Sequence, residues 1–177
     1  MFAGQGFHAT SMNEAAEAAG VTKPVLYQHF GSKRELYLEL LLDVGAALQE
    51  RIEKATASAG CPRDKVHAGF AAYFSFVDRH RSAFTLLFGS GARRDAEFAG
   101  AVRRVEHKLA QAVASLIEAD VEPSHRRHLA YALLGMAEGT SRHVVAGDLD
   151  IDPDELAAQL AEMAWAGLRG LAPPRAP

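Results

Sequence analysis

The sequence predicts an all-α protein, an N-terminal helix-turn-helix followed by a helical bundle. Three observations predict it. The apolar–polar alternation of a half-buried strand persists nowhere along the 177 residues. Apolar residues instead recur at three- and four-residue intervals over long runs, which Gly, Pro and capping residues punctuate. Between Ser11 and Lys33, two of these runs are very short and are joined by a tight turn.

The first short helix starts at Ser11, which with Glu14 has the spacing of a capping box. Met12, Ala15, Ala16 and Ala19 follow at i, i+3, i+4 and i+7, an apolar stripe of mostly small side chains. Gly20 stands where the helix must stop, a position favouring left-handed backbone. Thr22 is placed to cap the next helix, Pro24 lies in its first turn, and Val21 and Leu26 have hydrophobic-staple spacing. That helix is expected over about residues 23–30, where Gly31 breaks it and Ser32 and Glu35 supply another capping box. Leu26 and Phe30 then point inward, Lys23 and Tyr27 outward, with Gln28 and His29 on the flanks. An amine, a phenol, an amide and an imidazole on one side are groups that hold phosphate oxygens or read base edges. Read alone, these residues also fit an ordinary helical hairpin in which Tyr27 covers the core.

A long helix begins at Lys33 and carries Leu36, Leu40, Val44, Leu48 and Ile52 towards a break at Gly60, Cys61 and Pro62. Further helices are expected over about 63–80, 82–88, 95–118, 123–145 and 153–171. Gly89-Ser90-Gly91 ends the second of these. Asp152 caps the last one, with Glu155 three positions on, and Pro173-Pro174 closes it. No internal repeat is visible. Two domains are expected, a helix-turn-helix domain over residues 1–45 and a helical-bundle domain over 46–177.

The segment from Phe2 to Leu41 resembles the DNA-binding domain of the TetR family of transcriptional regulators. The resemblance is carried by Phe2, Gly6-Phe7, Thr10-Ser11-Met12, Ala15-Ala16, Ala19-Gly20-Val21-Thr22, Leu26-Tyr27, His29-Phe30 and Ser32-Lys33-Arg34-Glu35-Leu36. A looser similarity to the start of the regulatory domain runs through Tyr73-Phe74-Ser75-Phe76-Val77, His80-Arg81 and Phe84-Thr85-Leu86-Leu87-Phe88. The resemblance implies DNA contacts at Thr10, Ser11, Met12, Thr22, Lys23, Pro24, Val25, Tyr27, Gln28, His29 and Lys33. Of these, Tyr27, His29 and Lys33 are expected on phosphates, and Thr22, Lys23, Pro24, Val25 and Gln28 over base edges. It further implies a ligand-responsive regulator, a repressor that binds a palindromic double-stranded operator as a dimer. Family members carry a further helix ahead of the position of Phe2, here expected to be missing or reduced to its last turn, with either a true start upstream or a damaged DNA-binding domain. The alternative is therefore an all-helical small-molecule-binding or interaction protein without DNA binding.

Charge does not suggest nucleic acid. The chain holds 19 basic and 22 acidic side chains, a net of −3. Within residues 1–47, Lys23, Lys33 and Arg34 stand against Glu14, Glu17, Glu35, Glu39 and Asp43, a net of −2. DNA binding must then rest on placed donors and helix N-termini rather than bulk attraction. Cys61 is the only cysteine, so no intrachain disulfide forms and a reducing cytoplasm is the expected location. No apolar run is long enough to span a bilayer, and a membrane partner is not expected.

Catalytic readings find little support. His125 and His128 sit beside Arg126 and Arg127 in a first helical turn, which reads as a solvated face rather than a metal site. Gly89-Ser90-Gly91 lacks the strand and further glycines of a phosphate loop, and no nucleophile elbow appears. Neither an enzyme activity, a metal nor a required cofactor is expected.

An input for regulation is expected at an apolar pocket. Phe70, Tyr73, Phe74 and Val77, with Phe84, Phe88 and Phe98, are placed to face Tyr131, Leu134 and Glu138 around a small-molecule effector. The same aromatic stripe also fits plain core. The last two helices are expected to form a homodimer interface through Leu129, Leu133, Met136, Leu156, Leu160, Met163, Gly167 and Leu168. They are apolar around much of their circumference, and small residues allow close approach. A monomeric core is the alternative.

Overall fold

The computed structural model describes residues 1–171. Its helices are α1 (Phe2–Ala9), α2 (Met12–Ala18), α3 (Lys23–His29), α4 (Lys33–Ala57), α5 (Pro62–Arg79), α6 (Arg81–Phe88), α7 (Ser90–Arg93), α8 (Ala96–Leu116), α9 (Pro123–Ala146) and α10 (Pro153–Leu168). The fold is all-α, and no strand occurs among the described residues. The helix α10 stops at Leu168, and Pro173 and Pro174 lie outside the described residues. The chain forms two compact units, residues 1–46 with 82–105, and residues 47–81 with the chain from 106 onward.

The first unit is built on aromatic packing. Phe2 and Phe7 from α1 meet Tyr37 of α4 at ring-centroid distances of 5.2 and 5.3 Å. Phe98, from the first turn of α8, closes the cluster at 4.8 Å from Phe7 and 4.5 Å from Tyr37. Residues 82–105 therefore share a core with the helix-turn-helix, although sequence placed them with the regulatory domain. The boundary within α4, between Ala46 and Ala47, falls beside the expected one. The helix α1 is kinked at Gly6, whose φ of 81° is open to glycine alone at little cost. The Gly6 carbonyl accepts from both the Thr10 N–H at 3.3 Å and the Thr10 hydroxyl at 2.9 Å. Two ties join α4 to α8 in this unit. The Arg34 guanidinium grips both carboxylate oxygens of Asp95 at 3.1 and 2.9 Å and reaches Glu97 at 2.8 Å. Eleven residues along α4, a Cβ on Gly45 would lie 2.4 Å from Val105 Cγ1, so the helices approach to glycine distance.

In the second unit α10 lies along α5. The buried face of α10 is Leu156, Ala157, Ala161 and Ala164, whose small side chains let the helix axes come close. The buried face of α5 is Phe70, Tyr73, Phe74, Phe76 and Val77. Asp152 caps α10 as its sequence predicts, accepting from the N–H groups of Asp154 at 2.9 Å and Glu155 at 3.1 Å. Gly147, with φ 86°, ends α9 in the left-handed conformation, and Asp148 N–H donates back to the His143 carbonyl.

Candidate DNA-reading face and ligand cavity

The turn between α2 and α3 follows from local chemistry. Glu14 N–H donates to Ser11 Oγ at 3.2 Å, and Ser11 N–H donates to Glu14 Oε2 at 2.7 Å, which completes the capping box. Gly20 takes φ 67° and turns the chain into α3. Leu26 is the buried residue of α3. Around it Thr22, Lys23, Pro24, Val25, Tyr27, Gln28 and His29 are all exposed. Thr22 occupies the N-cap position, yet its hydroxyl makes no capping hydrogen bond. The Lys23 ammonium sits 5.9 Å from the centre of the Tyr27 ring, a cation–π approach on the exposed side. Tyr27 itself is 45% exposed, a large aromatic surface for a seven-residue helix to leave in water.

Three expected contact residues are placed otherwise. Thr10 is 1% exposed, because its hydroxyl is spent on the Gly6 carbonyl, and Met12 is 6% exposed in the head core. Neither side chain reaches a ligand surface. Lys33 is the larger correction. Its ammonium donates to the carbonyls of Phe7 at 2.8 Å, His8 at 3.3 Å and Thr10 at 2.9 Å, and lies 4.5 Å from the centre of the Phe7 ring. These are the orphan carbonyls at the end of α1, which a cation satisfies well. Lys33 is therefore an internal cap. Ser11 remains exposed, with its Oγ engaged in the capping box.

The second unit contains a cavity of about 450 Å³. Ile52 and Thr56 of α4 line it, with Val66, Phe70 and Tyr73 of α5, Val113 and Leu116 of α8, Leu133, Leu134 and Ala137 of α9, and Trp165 and Leu168 of α10. Lys65 and Glu118, an ion pair, also belong to the lining, as does Arg169. Of the pocket residues expected from sequence, Phe70, Tyr73 and Leu134 meet here. Phe84, Phe88 and Phe98 are buried in the first unit instead, and Phe74 and Val77 are buried in the second without lining the cavity. Tyr131 faces outward at 41% exposure, within hydrogen-bond reach of His107, and Glu138 pairs with Arg142. Sequence reasoning missed the wall supplied by Val113, Leu116, Trp165 and Leu168. The signal for Trp165 and Leu168 is the second apolar face of the last helix, which periodicity alone does not divide between a partner and the protomer's own interior.

The family description "Bacterial regulatory proteins, tetR family" matches residues 1–40, and "Tetracyclin repressor-like, C-terminal domain" matches residues 62–167. The chain belongs to the TetR family. The HTH-type transcriptional activator FasR of Mycolicibacterium smegmatis is 32% identical over 170 residues, 95% of this chain and 78% of its own. The HTH-type transcriptional repressor KstR2 of Mycobacterium tuberculosis H37Rv is 32% identical over 94 residues, 53% of this chain and 46% of its own. Among solved structures, a TetR-like regulator from Rhodococcus sp. RHA1 is similar at 30% identity and TM-score 0.74, covering 96% of this chain and 90% of that one. FadR from Bacillus halodurans shares the fold at TM-score 0.80 and 17% identity, covering 95% and 90%.

This TetR-family chain is accordingly a ligand-responsive, DNA-binding transcriptional regulator, and its family is one of regulators rather than enzymes. No helix among the described residues is long and apolar enough to cross a membrane. The residues expected at a dimer interface divide into three sets. Leu133 and Leu168 line the cavity and Leu156 is buried within the protomer. Leu129, Met136 and Leu160 are half-buried. Met163, at 56% exposure, and Gly167 face outward.

Proposed function

We propose that the protein acts as a cytoplasmic homodimer on a palindromic operator, and that an apolar small molecule in the cavity controls its occupancy. The observation that supports the DNA reading best is the exposed set formed by α3 and its N-cap, where seven of the eight positions from Thr22 to His29 are exposed around the one buried leucine. Thr22, Lys23, Pro24, Val25 and Gln28 face base edges in this reading, and Tyr27 and His29 take phosphates. Its helical regulatory unit supplies the input. A largely apolar space lined by phenylalanine, leucine, valine and tryptophan side chains suits a hydrophobic effector with few polar atoms.

Dimerisation is supported by α9. Gly135 and Gly139 are exposed, and a Cβ on either would meet nothing within 4 Å. Nothing inside the protomer requires glycine there, yet each costs about 1 kcal/mol relative to alanine in a helix interior. Close approach of a second copy gives that cost a purpose, and two reader heads then match two half-sites.

The sign of the output follows from where the operator lies relative to its promoter. Relatives named activator and repressor share this architecture. The decisive experiment is fluorescence anisotropy of the purified chain with inverted repeats taken from DNA flanking its own gene. Binding that needs both half-sites, and that an apolar ligand found by thermal shift alters, supports the proposal. Equal binding to unrelated duplexes at every salt concentration defeats it.

A further inference from the structure

The wall of the cavity holds two hydrogen-bond donors that nothing in the protein uses. Six side chains of the lining carry a polar group, those of Thr56, Lys65, Tyr73, Glu118, Trp165 and Arg169, and its other side chains are hydrocarbon. Thr56 gives its hydrogen to the Ile52 carbonyl at 2.8 Å, Lys65 and Glu118 neutralise each other as an ion pair, and the Tyr73 hydroxyl is closed off by burial. Trp165 and Arg169 differ from these. Among the described residues neither side chain has a hydrogen-bond or ion-pair partner. Both can be reached. Arg169 is exposed, and Trp165 is half-buried with an indole nitrogen that is not one of the unpartnered interior atoms sealed from solvent. They are also neighbours. Arg169 continues α10 in helical conformation, and its N–H donates to the Trp165 carbonyl at 2.9 Å, so the two side chains share one face a turn apart.

We infer that Trp165 and Arg169 are the polar anchor of this cavity, and that the effector is an apolar molecule ending in a carboxylate. The inference rests on the reading of the cavity as the effector site. With Lys65 and Glu118 cancelling, Arg169 leaves the lining one positive charge in excess, which suits a single negative charge rather than two. A carboxylate matches in shape as well. It accepts two parallel hydrogen bonds from a guanidinium fork and keeps lone pairs for an indole N–H. An alcohol on the same carbon skeleton fills the same space and brings no charge to the guanidinium. The competing role for Arg169 is local, since a cation at the end of α10 also satisfies the negative end of its own helix.

The test uses the full chain and a matched probe pair, 6-phenylhexanoate and 6-phenylhexan-1-ol, titrated calorimetrically near neutral pH into wild type, Arg169→Gln, Arg169→Lys and Trp165→Phe. Wild type is expected to prefer the carboxylate. That preference should fall about tenfold in Arg169→Gln and by a smaller factor in Trp165→Phe, while the alcohol binds wild type and Arg169→Gln alike. Arg169→Lys keeps the charge and loses the fork, so part of the preference should return. Trp165 is the only tryptophan, and its emission should shift as either probe enters. Binding without that shift overturns the inference by putting the site elsewhere. An identical preference in wild type and Arg169→Gln overturns it while leaving the cavity a ligand site. A lowered melting temperature in Arg169→Gln, with both probes weakened alike, also overturns it, because the arginine then serves only its own helix. If neither probe binds wild type, the cavity reading itself falls and this inference with it.

Discussion

A lysine ammonium has three hydrogens, and three carbonyl oxygens already take those of Lys33. The side chain ties the end of α1 and the Thr10 carbonyl to the start of α4, so its loss should be felt as a loosened head. Lys33→Met is expected to destabilise the protein by about 2 kcal/mol, the scale of hydrogen bonds to a charged group. Operator affinity should fall with it, while the dependence of log affinity on log salt keeps its slope. Lys23→Ala is the contrasting case. That amine is exposed on α3, and its removal should lower the slope by about 1 with little change in melting temperature. Anisotropy titrations across a salt series separate the two, and a slope reduced by about one in Lys33→Met would restore it as a phosphate ligand. Asp95 gives this scale its pH dependence. Hydrogen bonds from Arg34, more than those from the Phe98 and Glu97 N–H groups, hold its carboxyl down to about 2 against the cost of desolvation. A depressed carboxylate stabilises the fold above its unfolded value near pH 4, and that contribution is lost as pH falls towards about 2. Asp95→Asn should therefore flatten the acid limb of a melting-temperature profile between about pH 4 and pH 2, and an unchanged limb would remove Arg34 as its source.

At the level of elements, the glycine contact between α4 and α8 is a sharp constraint in the first unit. A methyl group on Gly45 would stand 2.4 and 2.7 Å from the two γ-carbons of Val105, which a β-branched side chain held in a helix cannot easily withdraw. Gly45→Ala is expected to cost about 1–3 kcal/mol by overpacking, despite the better helix propensity of alanine. Val105→Ala in the same chain should recover most of that loss, and additive losses in a chemical-denaturation cycle would show that the two positions do not share a contact. The same pair marks what sequence makes legible. The Ser11–Glu14 box, the left-handed Gly20 and the exposed side of α3 are written in residues three or four apart, so reading neighbours is enough. Lys33 meets its first partner 26 residues away and Arg34 reaches Asp95 across 61, so neither role appears in local spacing. Periodicity also tells that an aromatic face is buried without telling against what. Phe70 and Tyr73 line the cavity, whereas Phe84, Phe88 and Phe98, equally regular in sequence, fill the core of the other unit. The last helix is ambiguous for the same reason. Its apolar circumference serves α5 and the cavity on one side, and only Met163 and Gly167 among the expected interface residues are exposed.

For the whole molecule, function depends on whether two chains present their reader heads together. A substitution that breaks such an assembly is informative only if the protomer survives it, and most apolar positions on α9 and α10 fail that requirement. Leu160, half-buried, would confound dissociation with unfolding. Gly139 does not. It is exposed on α9, and an added side chain meets nothing of its own protomer within 4 Å. Gly139→Glu should therefore fold with a helical content and melting transition like those of the parent chain at low concentration. In a paired state the same carboxylate would be buried against a second helix without a partner charge, which is strongly unfavourable. Sedimentation velocity at micromolar concentration is expected to give a dimer for the parent and a monomer for the variant. Operator affinity should then fall by on the order of a hundredfold or more, because two linked half-site contacts become independent. A single half-site, in contrast, should bind parent and variant nearly equally, since α3 is untouched. If Gly139→Glu sediments as a dimer, the interface lies on another face. If the parent sediments as a monomer, the glycines of α9 need a different explanation and the palindromic operator loses its structural basis.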